Sequence, residues 1–312
     1  MSLWAAMDIG TNSTRLLVAE IQGERILPVK IDIFTTRLGK DVARTGVLSR
    51  EGRAETLKAL VNFQRQCRQA GVEQIRLVGT SAMRRGCNQK EFCAEIKKVI
   101  GLEPEVVSGT EEARLSFLGL VASLPLAGEG ESLAIDIGGG STELIWGQEG
   151  KPQVVESLPL GAISLTEAYL PGEGPYSHKQ HDELRQHIYE VLKTEASAFN
   201  LLPSTALAIG SGGTVTNLAA IYLGLSTYSP TLTHGTVLPL SVLMEIQQRL
   251  ASLNLAQRKI VTGLQPERAD IITAGTIILT TVLERFQLPE IIVSEGDLLL
   301  GLLVDLRAKL GK

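Results

Sequence analysis

A short segment occurs twice in the chain, and this repeat constrains the fold more than any other feature. Residues 7–14 read MDIGTNST and residues 135–142 read IDIGGGST, so five of eight positions match at a constant offset of 128 residues. Each copy follows an apolar run and precedes another, which is the pattern of two strands joined by a tight turn. The repeat therefore predicts two related lobes.

The segment after the first repeat alternates between helical and strand patterns. The run from Ser49 to Ala70 has helical spacing of apolar residues and ends before Gly71, a residue that favours helix termination. Four further elements follow, namely a strand at QIRLVGT, a helix with Asn88 as N-cap, a strand at PEVVSG, and a helix at GTEEARLSFLGLVASL with Ser108 or Thr110 near its start. This alternation is typical of α/β proteins.

The second half of the chain repeats the same plan. It shows strands over 133–158, a helix from about 177 to 200, a strand at TALAIG, a loop at SGGT leading into a helix, helices over 241–251 and 267–287, a strand at EIIVS and a last helix. We therefore predict an α/β fold with two duplicated domains, 1–125 and 126–312, facing a central cleft. The Gly-rich segment 125–131 is the expected hinge, and the last helix, 297–312, is expected to pack back on the first lobe.

Charge and composition exclude several classes of protein. The chain has 34 acidic and 30 basic side chains and a net charge of −4, which does not suit a nucleic-acid coat or a basic membrane-surface protein. The charge is uneven, with 18 basic and 14 acidic residues up to position 125 against 12 and 20 from 126 onward. No basic segment precedes the first apolar run, no long apolar stretch is uninterrupted, and three cysteines form no CxxC pair, so we expect a cytoplasmic protein without membrane contact.

Three loops rich in glycine and hydroxyl side chains stand at strand ends. They are GTNST at 10–14, GGGST at 138–142 and GSGGT at 210–214. Glycines allow the backbone to approach a ligand closely, and successive N–H groups can then converge on an anion. A P-loop motif is absent, and GSGGTV lacks the third glycine of a dinucleotide-binding motif, so the loops indicate another kind of phosphate site.

The motifs together resemble those of a known family. MDIGTNST, GTSAMR, VSGTEEARLSFLG, IDIGGGSTELIWG, GSGGTVTNLA and THG stand in the order seen in the exopolyphosphatase and guanosine-pentaphosphate phosphohydrolase (Ppx/GppA) family. That family belongs to the actin, hexokinase and Hsp70-like superfamily, and its domains are ribonuclease H-like. The resemblance covers essentially the whole chain and implies the short, two-domain form, because longer members add a C-terminal helical domain.

The resemblance implies roles for particular residues. Glu112, the second glutamate of TEEAR, matches the general base that activates water, whereas Glu111 is expected only to complement the helix dipole. Asp136 and Glu143 match acids that hold Mg²⁺ or position water, and Asp8 is the duplicate of Asp136. For Asp8 a hydrogen bond that stabilises the turn remains the alternative. The implied cofactor is Mg²⁺, with K⁺ as a possible activator.

The resemblance also implies a set of phosphate-binding groups. Arg84 in GTSAMR matches a phosphate-facing arginine with a catalytic role, and Arg37 matches another, whereas Arg85 is expected on the surface. The remaining implied phosphate-binding residues are Asn12, Ser13, Gly138, Gly139, Gly140, Ser141, Thr142, Gly212, Gly213 and Thr214. His234 suits a structural or a site role equally well, and His178, His181 and His187 are expected on a solvated helix face rather than at a metal.

One segment departs from the family pattern. Near the C-terminus the family has a Gly-Leu-Arg run, whereas this chain reads VSEGDLLLGLL, with Leu299 or Leu300 where the arginine would fall. The contribution of that arginine is therefore missing or supplied elsewhere, which bears on activity with the usual substrates.

The leading expectation is an exopolyphosphatase that releases orthophosphate from inorganic polyphosphate with Mg²⁺. The alternatives are hydrolysis of guanosine pentaphosphate (pppGpp) and a regulatory module that binds a nucleotide or alarmone with little turnover. A sugar or acetate kinase of the same superfamily is less favoured. A homodimer is possible, and no nucleic-acid polymer or membrane is expected as a partner.

Overall fold

Strands and helices alternate along the chain, as the sequence pattern predicts. The computed structural model describes residues 2–23 and 25–311. The strands are β1 (Ser2–Ile9), β2 (Ser13–Gln22), β3 (Arg25–Thr35), β4 (Gln74–Gly79), β5 (Glu105–Val106), β6 (Glu131–Ile137), β7 (Thr142–Gln148), β8 (Lys151–Leu158), β9 (Leu207–Ser211), β10 (Val237–Pro239) and β11 (Glu290–Val293). The α-helices are α1 (Val42–Thr45), α2 (Arg50–Ala70), α3 (Ser81–Arg85), α4 (Gln89–Ile100), α5 (Gly109–Ser123), α6 (Ala162–Tyr169), α7 (His178–Glu195), α8 (Gly212–Tyr222), α9 (Pro230–Thr233), α10 (Leu240–Ser252), α11 (Leu255–Arg258), α12 (Ile272–Arg285) and α13 (Leu298–Lys309).

The described chain divides into two compact units. Unit 1 comprises the residues up to Ala122 together with those from Gly296 onward, and unit 2 comprises Ser123–Glu295. The segment 125–131 forms a 3₁₀ turn over Pro125–Gly128 and then enters β6. No helix within residues 2–23 and 25–311 combines the length and apolarity that a membrane span requires.

Each unit is built on one mixed sheet with the same core arrangement. The sheet of unit 1 has the order β3-β2-β1-β4-β5, and that of unit 2 has the order β8-β7-β6-β9-β11 with β10 added at the edge. In both, the first three strands run antiparallel and the fourth pairs in parallel with the first. Each second strand also has an irregular register with the third, between Val18 and Ala19 and between Trp146 and Gly147. The 128-residue offset separates these two bulges as well, so the duplication extends beyond the repeated motif.

Apolar side chains fill both faces of the unit 1 sheet. One face packs against α2 and α4 through residues such as Phe63 and Phe92. The other face places Trp4 and Leu17 against α5 and α13, where Leu302 is buried. Burying residues of this kind removes a large apolar area from water, which is the main source of stability. The last helix is therefore part of the core of unit 1.

The core of unit 2 centres on α12. All residues of this helix from Ile272 to Leu283 are buried, and it packs against α6, α7, α8 and α10. A helix buried on all faces carries no amphipathic pattern that would mark its ends. The helix begins at Ile272, not at the predicted position 267.

Two local expectations were wrong in detail. The SGGT segment is not a loop, because α8 begins at Gly212, directly after β9, and the φ of +80° at Gly212 allows the abrupt change of direction. Asn88 is the N-cap residue of α4, as expected, but its side chain makes no capping hydrogen bond. Its amide instead accepts from the Leu48 amide at 2.9 Å and donates to the Leu48 carbonyl at 3.0 Å. Tertiary contacts thus override the local capping preference.

Candidate active site

The candidate site residues of unit 1 lie where three parallel strands end. Ile9 of β1 pairs with Gly79 of β4, and Gly79 pairs with Val106 of β5. Asp8 stands at the end of β1, Arg84 follows β4 on α3, and Glu112 follows β5 in the first turn of α5. The carboxyl ends of parallel strands share one sheet edge, which is where α/β proteins place ligands.

Glu112 and Arg84 form an ion pair at this edge. Nη1 of Arg84 lies 2.5 Å from Oε2 of Glu112, with side chains 22% and 12% exposed. The same nitrogen donates to the Val107 carbonyl at 3.1 Å, which fixes the guanidinium. Oγ of Ser108 accepts from the Glu111 amide at 3.1 Å, so Ser108 rather than Thr110 satisfies an amide of the first turn. The carboxylate and the arginine are therefore held together by contacts within unit 1.

The adjacent acid has a different partner. Both carboxylate oxygens of Glu111 accept from Arg114, each at 2.8 Å. Hydrogen bonding to Arg114 lowers the pKa of Glu111 from its ordinary value. Arg85 is exposed. Of the two neighbouring glutamates, only Glu112 is bonded to Arg84.

Asp8 forms part of a buried cluster of three charges. Its side chain is almost fully buried, and Oδ2 accepts from Nε and Nη2 of Arg15 at 2.9 and 2.7 Å. Nη1 of Arg15 binds Asp297, which caps α13. Burial raises the pKa of Asp8, and Arg15 acts in the opposite direction. Oδ1 of Asp8 is buried and makes no hydrogen bond with the described residues.

The same cluster lies at the start of α13, where the sequence departs from the family pattern. Leu299 is buried in the core, and no arginine side chain occupies its position or that of Leu300. Oδ1 of Asp297 accepts from the Leu299 amide at 2.9 Å while its other oxygen binds Arg15. The guanidinium at the start of α13 therefore belongs to Arg15 of β2, and not to a residue of the helix itself.

The repeated loop of unit 1 is closed by backbone hydrogen bonds. The Gly10 amide donates to the Ser13 carbonyl at 2.9 Å, and the carbonyls of Thr11 and Asn12 accept from Gly39 and Arg37, both at 2.9 Å. In a planar trans peptide the N–H points away from the C=O. The amides of Asn12 and Ser13 therefore point away from the 37–39 segment. Arg37 itself is exposed and has a φ of 48°.

The loop of unit 2 has a similar arrangement, with the accepting carbonyls shifted by one residue relative to the 128-residue offset. The Gly138 amide donates to the Ser141 carbonyl at 2.9 Å, and the carbonyls of Gly138 and Gly139 accept from Ala162 and Ile163 at the start of α6, both at 2.9 Å. By the same argument, the N–H groups of Gly139 and Gly140 point away from α6. Two successive amides with one orientation are the arrangement that binds an anion.

Not every hydroxyl of these loops is directed outward. The Thr142 hydroxyl is fully buried and donates to the Leu160 carbonyl at 2.5 Å. Its duplicate, Thr14, shares a hydrogen bond of 3.0 Å with Thr36. Ser141 is buried as well. The threonines thus attach each loop to the segment after the third strand of its sheet.

Asp136 and Glu143 stand opposite each other on β6 and β7. The Ser157 hydroxyl donates to Oε1 of Glu143 at 2.7 Å. A Cβ built on Gly212 would lie 2.5 Å from Oδ1 of Asp136. A side chain at position 212 would therefore clash with the carboxylate, and glycine avoids this clash. Two neighbouring carboxylates are hard oxygen donors that suit Mg²⁺. The residues therefore fit that ion, although no three His, Cys, Asp or Glu side chains in 2–23 and 25–311 are arranged to hold a metal.

One arginine at this edge of unit 2 was not identified from the sequence. A Cβ on Gly213 would lie 2.0 Å from Cζ of Arg268, so the guanidinium covers the first turn of α8. Gln265 orients it, since Oε1 accepts from Nε of Arg268 at 3.2 Å. Thr214 is buried nearby against Gly275. The available signal was the group of three charged residues in ERAD, 267–270, just before the apolar segment that forms α12.

Three histidines, His181, His187 and His234, make contacts within unit 2. Nδ1 of His234 accepts from the Glu295 amide, and Nε2 lies near the Ser123 carbonyl, both at 3.2 Å. His181 is half-buried, and its Nε2 lies 2.6 Å from Nε2 of Gln247. Burial lowers the pKa of His181. His187 stacks on Tyr169. Two of the three α7 histidines therefore pack against other side chains, which the expectation of a solvated face did not include.

Comparison with known proteins agrees with this arrangement. The chain belongs to the Ppx/GppA phosphatase family, a family of hydrolases, which it matches over residues 17–310. Exopolyphosphatase 2 of Mycobacterium tuberculosis is 32% identical over 97% of this chain and 98% of its own. The family member from Aquifex aeolicus has a TM-score of 0.83 at 30% identity and covers 100% and 99% of the two chains. An exopolyphosphatase from Cytophaga hutchinsonii has a TM-score of 0.91 at 26% identity, with 99% and 98% covered. The expected family and its actin-like α/β fold are thereby confirmed.

Proposed function

We propose that this protein is an exopolyphosphatase, which hydrolyses the terminal phosphoanhydride bond of inorganic polyphosphate and releases orthophosphate. The observation that supports this most directly is the Glu112–Arg84 ion pair of 2.5 Å at the carboxyl ends of β4 and β5. A carboxylate fixed beside an arginine can orient a water molecule and accept its proton, while the guanidinium binds phosphate oxygens. The names of the Mycobacterium and Cytophaga relatives favour the same substrate.

The chemistry is addition of one water across one P–O–P bond. The water oxygen attacks the terminal phosphorus, Glu112 accepts the proton, and the bridging oxygen leaves with the shortened chain. Arg84 stabilises the charge that develops on the terminal phosphate. The proposed phosphate contacts are the oriented amides of Asn12 and Ser13 in unit 1 and of Gly139 and Gly140 in unit 2. Arg37 and the first residues of α8 (Gly212, Gly213, Thr214) are proposed as further phosphate-binding groups of their own units.

Mg²⁺ is the proposed cofactor, and Asp136 with Glu143 are the residues that would hold it. When bound, the ion supplies neutralisation of negative charge on phosphate oxygens. Asp8 stays a predicted third ligand on the evidence of the repeat. Its role in unit 1 is to bind Arg15, which leaves it a single oxygen, Oδ1, for any other contact.

The test is removal of the proposed base with little change in shape. Glu112→Gln is expected to lower kcat for orthophosphate release from polyphosphate by about 100-fold or more, which is the usual contribution of a general base. Glu103→Gln, which alters an exposed acid paired with Lys97, is the matched control and is expected to leave kcat within about twofold, as surface substitutions usually do. A folded Glu112→Gln variant with near-parental kcat would contradict the assignment.

The substrate is tested in the same experiment. Polyphosphate, guanosine pentaphosphate and ATP are compared in parallel, each with and without Mg²⁺ and with K⁺ varied. We expect the highest kcat/KM on polyphosphate. A higher kcat/KM on guanosine pentaphosphate would identify that compound, and not polyphosphate, as the substrate. Tight binding of a nucleotide without phosphate release would indicate a regulatory module.

A further inference from the structure

The helix that bears Glu112 is anchored at two places by α13. At the first, the two helices cross with their backbones in contact, since a Cβ on Gly301 would lie 1.8 Å from the Leu115 carbonyl oxygen and one on Gly119 would lie 1.9 Å from that of Asp297. Only glycine permits so close an approach. This crossing fixes the middle and the end of α5, several residues away from Glu112.

The second anchor is an ion-pair network next to Glu112. Asp305 of α13 is buried, and its two oxygens accept from Arg114 at 2.7 Å and from Arg76 at 2.6 Å. Arg114 belongs to α5 and also bonds both oxygens of Glu111 at 2.8 Å. Lys309 reaches Asp305 from its exposed side at 2.8 Å. A shared carboxylate thus connects the start of α5 to β4 and α13.

Besides this network, the first turn of α5 is held by polar contacts, namely the Ser108 hydroxyl that accepts from the Glu111 amide and the Glu112–Arg84 ion pair. Thr110 is exposed, Glu111 and Glu112 are partly exposed, and the first buried residue of the helix is Ala113. Apolar packing therefore begins only after the turn that bears the proposed base. Such turns open locally at low cost unless polar contacts hold them.

We propose that Asp305 is a positioning residue for the reaction: through Arg114 it holds the first turn of α5 so that the Glu112 carboxylate stays against Arg84. Asp305 touches no reacting atom in this role. The proposal rests on the proposed function, because it takes Glu112 as the base. A displacement of about 1 Å at a catalytic group can reduce the rate strongly, so the effect falls on kcat rather than on KM.

The experiment combines kinetics with amide hydrogen exchange. Asp305→Asn and Arg114→Gln are each expected to lower kcat about tenfold with KM changed less than about twofold, and the double variant to fall no further than either single one. Arg114→Lys, which retains one bond to Asp305, is expected to recover part of the loss. Lys309→Gln, which removes only the exposed partner, is expected to leave kcat within about twofold.

Hydrogen exchange tests the proposed role of Asp305 independently of whether Glu112 is the base. The amides of residues 109–113 are expected to exchange faster in Asp305→Asn than in Lys309→Gln, whatever the fate of Glu112→Gln. If Asp305→Asn does not fold, the half-exposed Arg114 supplies the same test. Unchanged kcat and unchanged exchange in folded Arg114→Gln, or additive losses in the double variant, would overturn the proposal. Loss of activity confined to KM would overturn it as well.

Discussion

The two repeated hairpins share a backbone but differ in charge. Asp8 pairs with Arg15 in unit 1, and Asp136 pairs with Glu143 in unit 2, at the same register and with the same 2.9 Å bond across the turn. The position directly after the repeat, 15 or 143, thus bears an arginine in one unit and a glutamate in the other. The first hairpin holds a compensated carboxylate and the second a pair of carboxylates.

This difference shows that two copies of one fold can keep the same backbone and carry different charges at the same place. The turn bond and the strand pairing recur in the two copies, which share the Asp, Gly, Ser and Thr residues. The charge opposite the shared aspartate does not recur, because position 15 is an arginine and position 143 is a glutamate. Hard-cation binding is therefore proposed for unit 2, and a fixed internal cation, Arg15, serves the same edge of unit 1.

The largest effect is expected from the carboxylate pair of unit 2. Glu143→Gln retains the shape and the Ser157 contact but removes one of two charges, so kcat for orthophosphate release should fall about 100- to 1,000-fold. Calorimetric titration with Mg²⁺ should show weaker binding in the same variant. If kcat of Glu143→Gln stays within tenfold of that of the parent protein, the proposed difference in role between the two hairpins is wrong.

A smaller effect on rate is expected from the compensated acid of unit 1. Asp8→Asn should lower kcat about tenfold, and should lower the free energy of unfolding by about 1–3 kcal/mol, because Arg15 loses a charged acceptor in a buried setting. Urea unfolding measures the second quantity. A rate loss equal to that of Glu143→Gln would show that the two acids act alike, as the repeat alone suggests.

The stability of unit 1 is expected to fall in acid because of one carboxylate, that of Asp305. Burial acts to raise the pKa of Asp305, but hydrogen bonds from Lys309, Arg114 and Arg76 outweigh it and lower the pKa to about 2. The unfolded chain therefore takes up this proton first as the pH falls, and the stabilisation of about 2 kcal/mol present above pH 4 is lost towards pH 2.

The comparison of Asp305→Asn with the parent protein measures that contribution. The difference in free energy of unfolding between them should be full at pH 7 and should narrow as the pH falls from 4 to 2. A difference that does not depend on pH would mean that Asp305 stabilises unit 1 by packing alone.

The sequence predicted the parts of the site that lie on local motifs. The repeat placed Asp8 and Asp136 at strand ends, and TEEAR placed Glu112 in the first turn of a helix, because turn and capping chemistry is local. Arg268 was missed since its contact with Gly213 depends on how the segment before α12 folds over α8. The pairing of Arg15 with Asp297, 282 residues apart, was likewise not visible in any local pattern.

The return of the last helix to unit 1 has a consequence for synthesis on the ribosome. Unit 2 is one continuous segment, Ser123–Glu295, and can fold as soon as it has emerged. The face of the unit 1 sheet that holds Trp4 and Leu17 is covered by Leu302 and its neighbours, which are made only after unit 2. The strands of unit 1 are therefore translated before unit 2, but the core of unit 1 is completed only after unit 2 has been made.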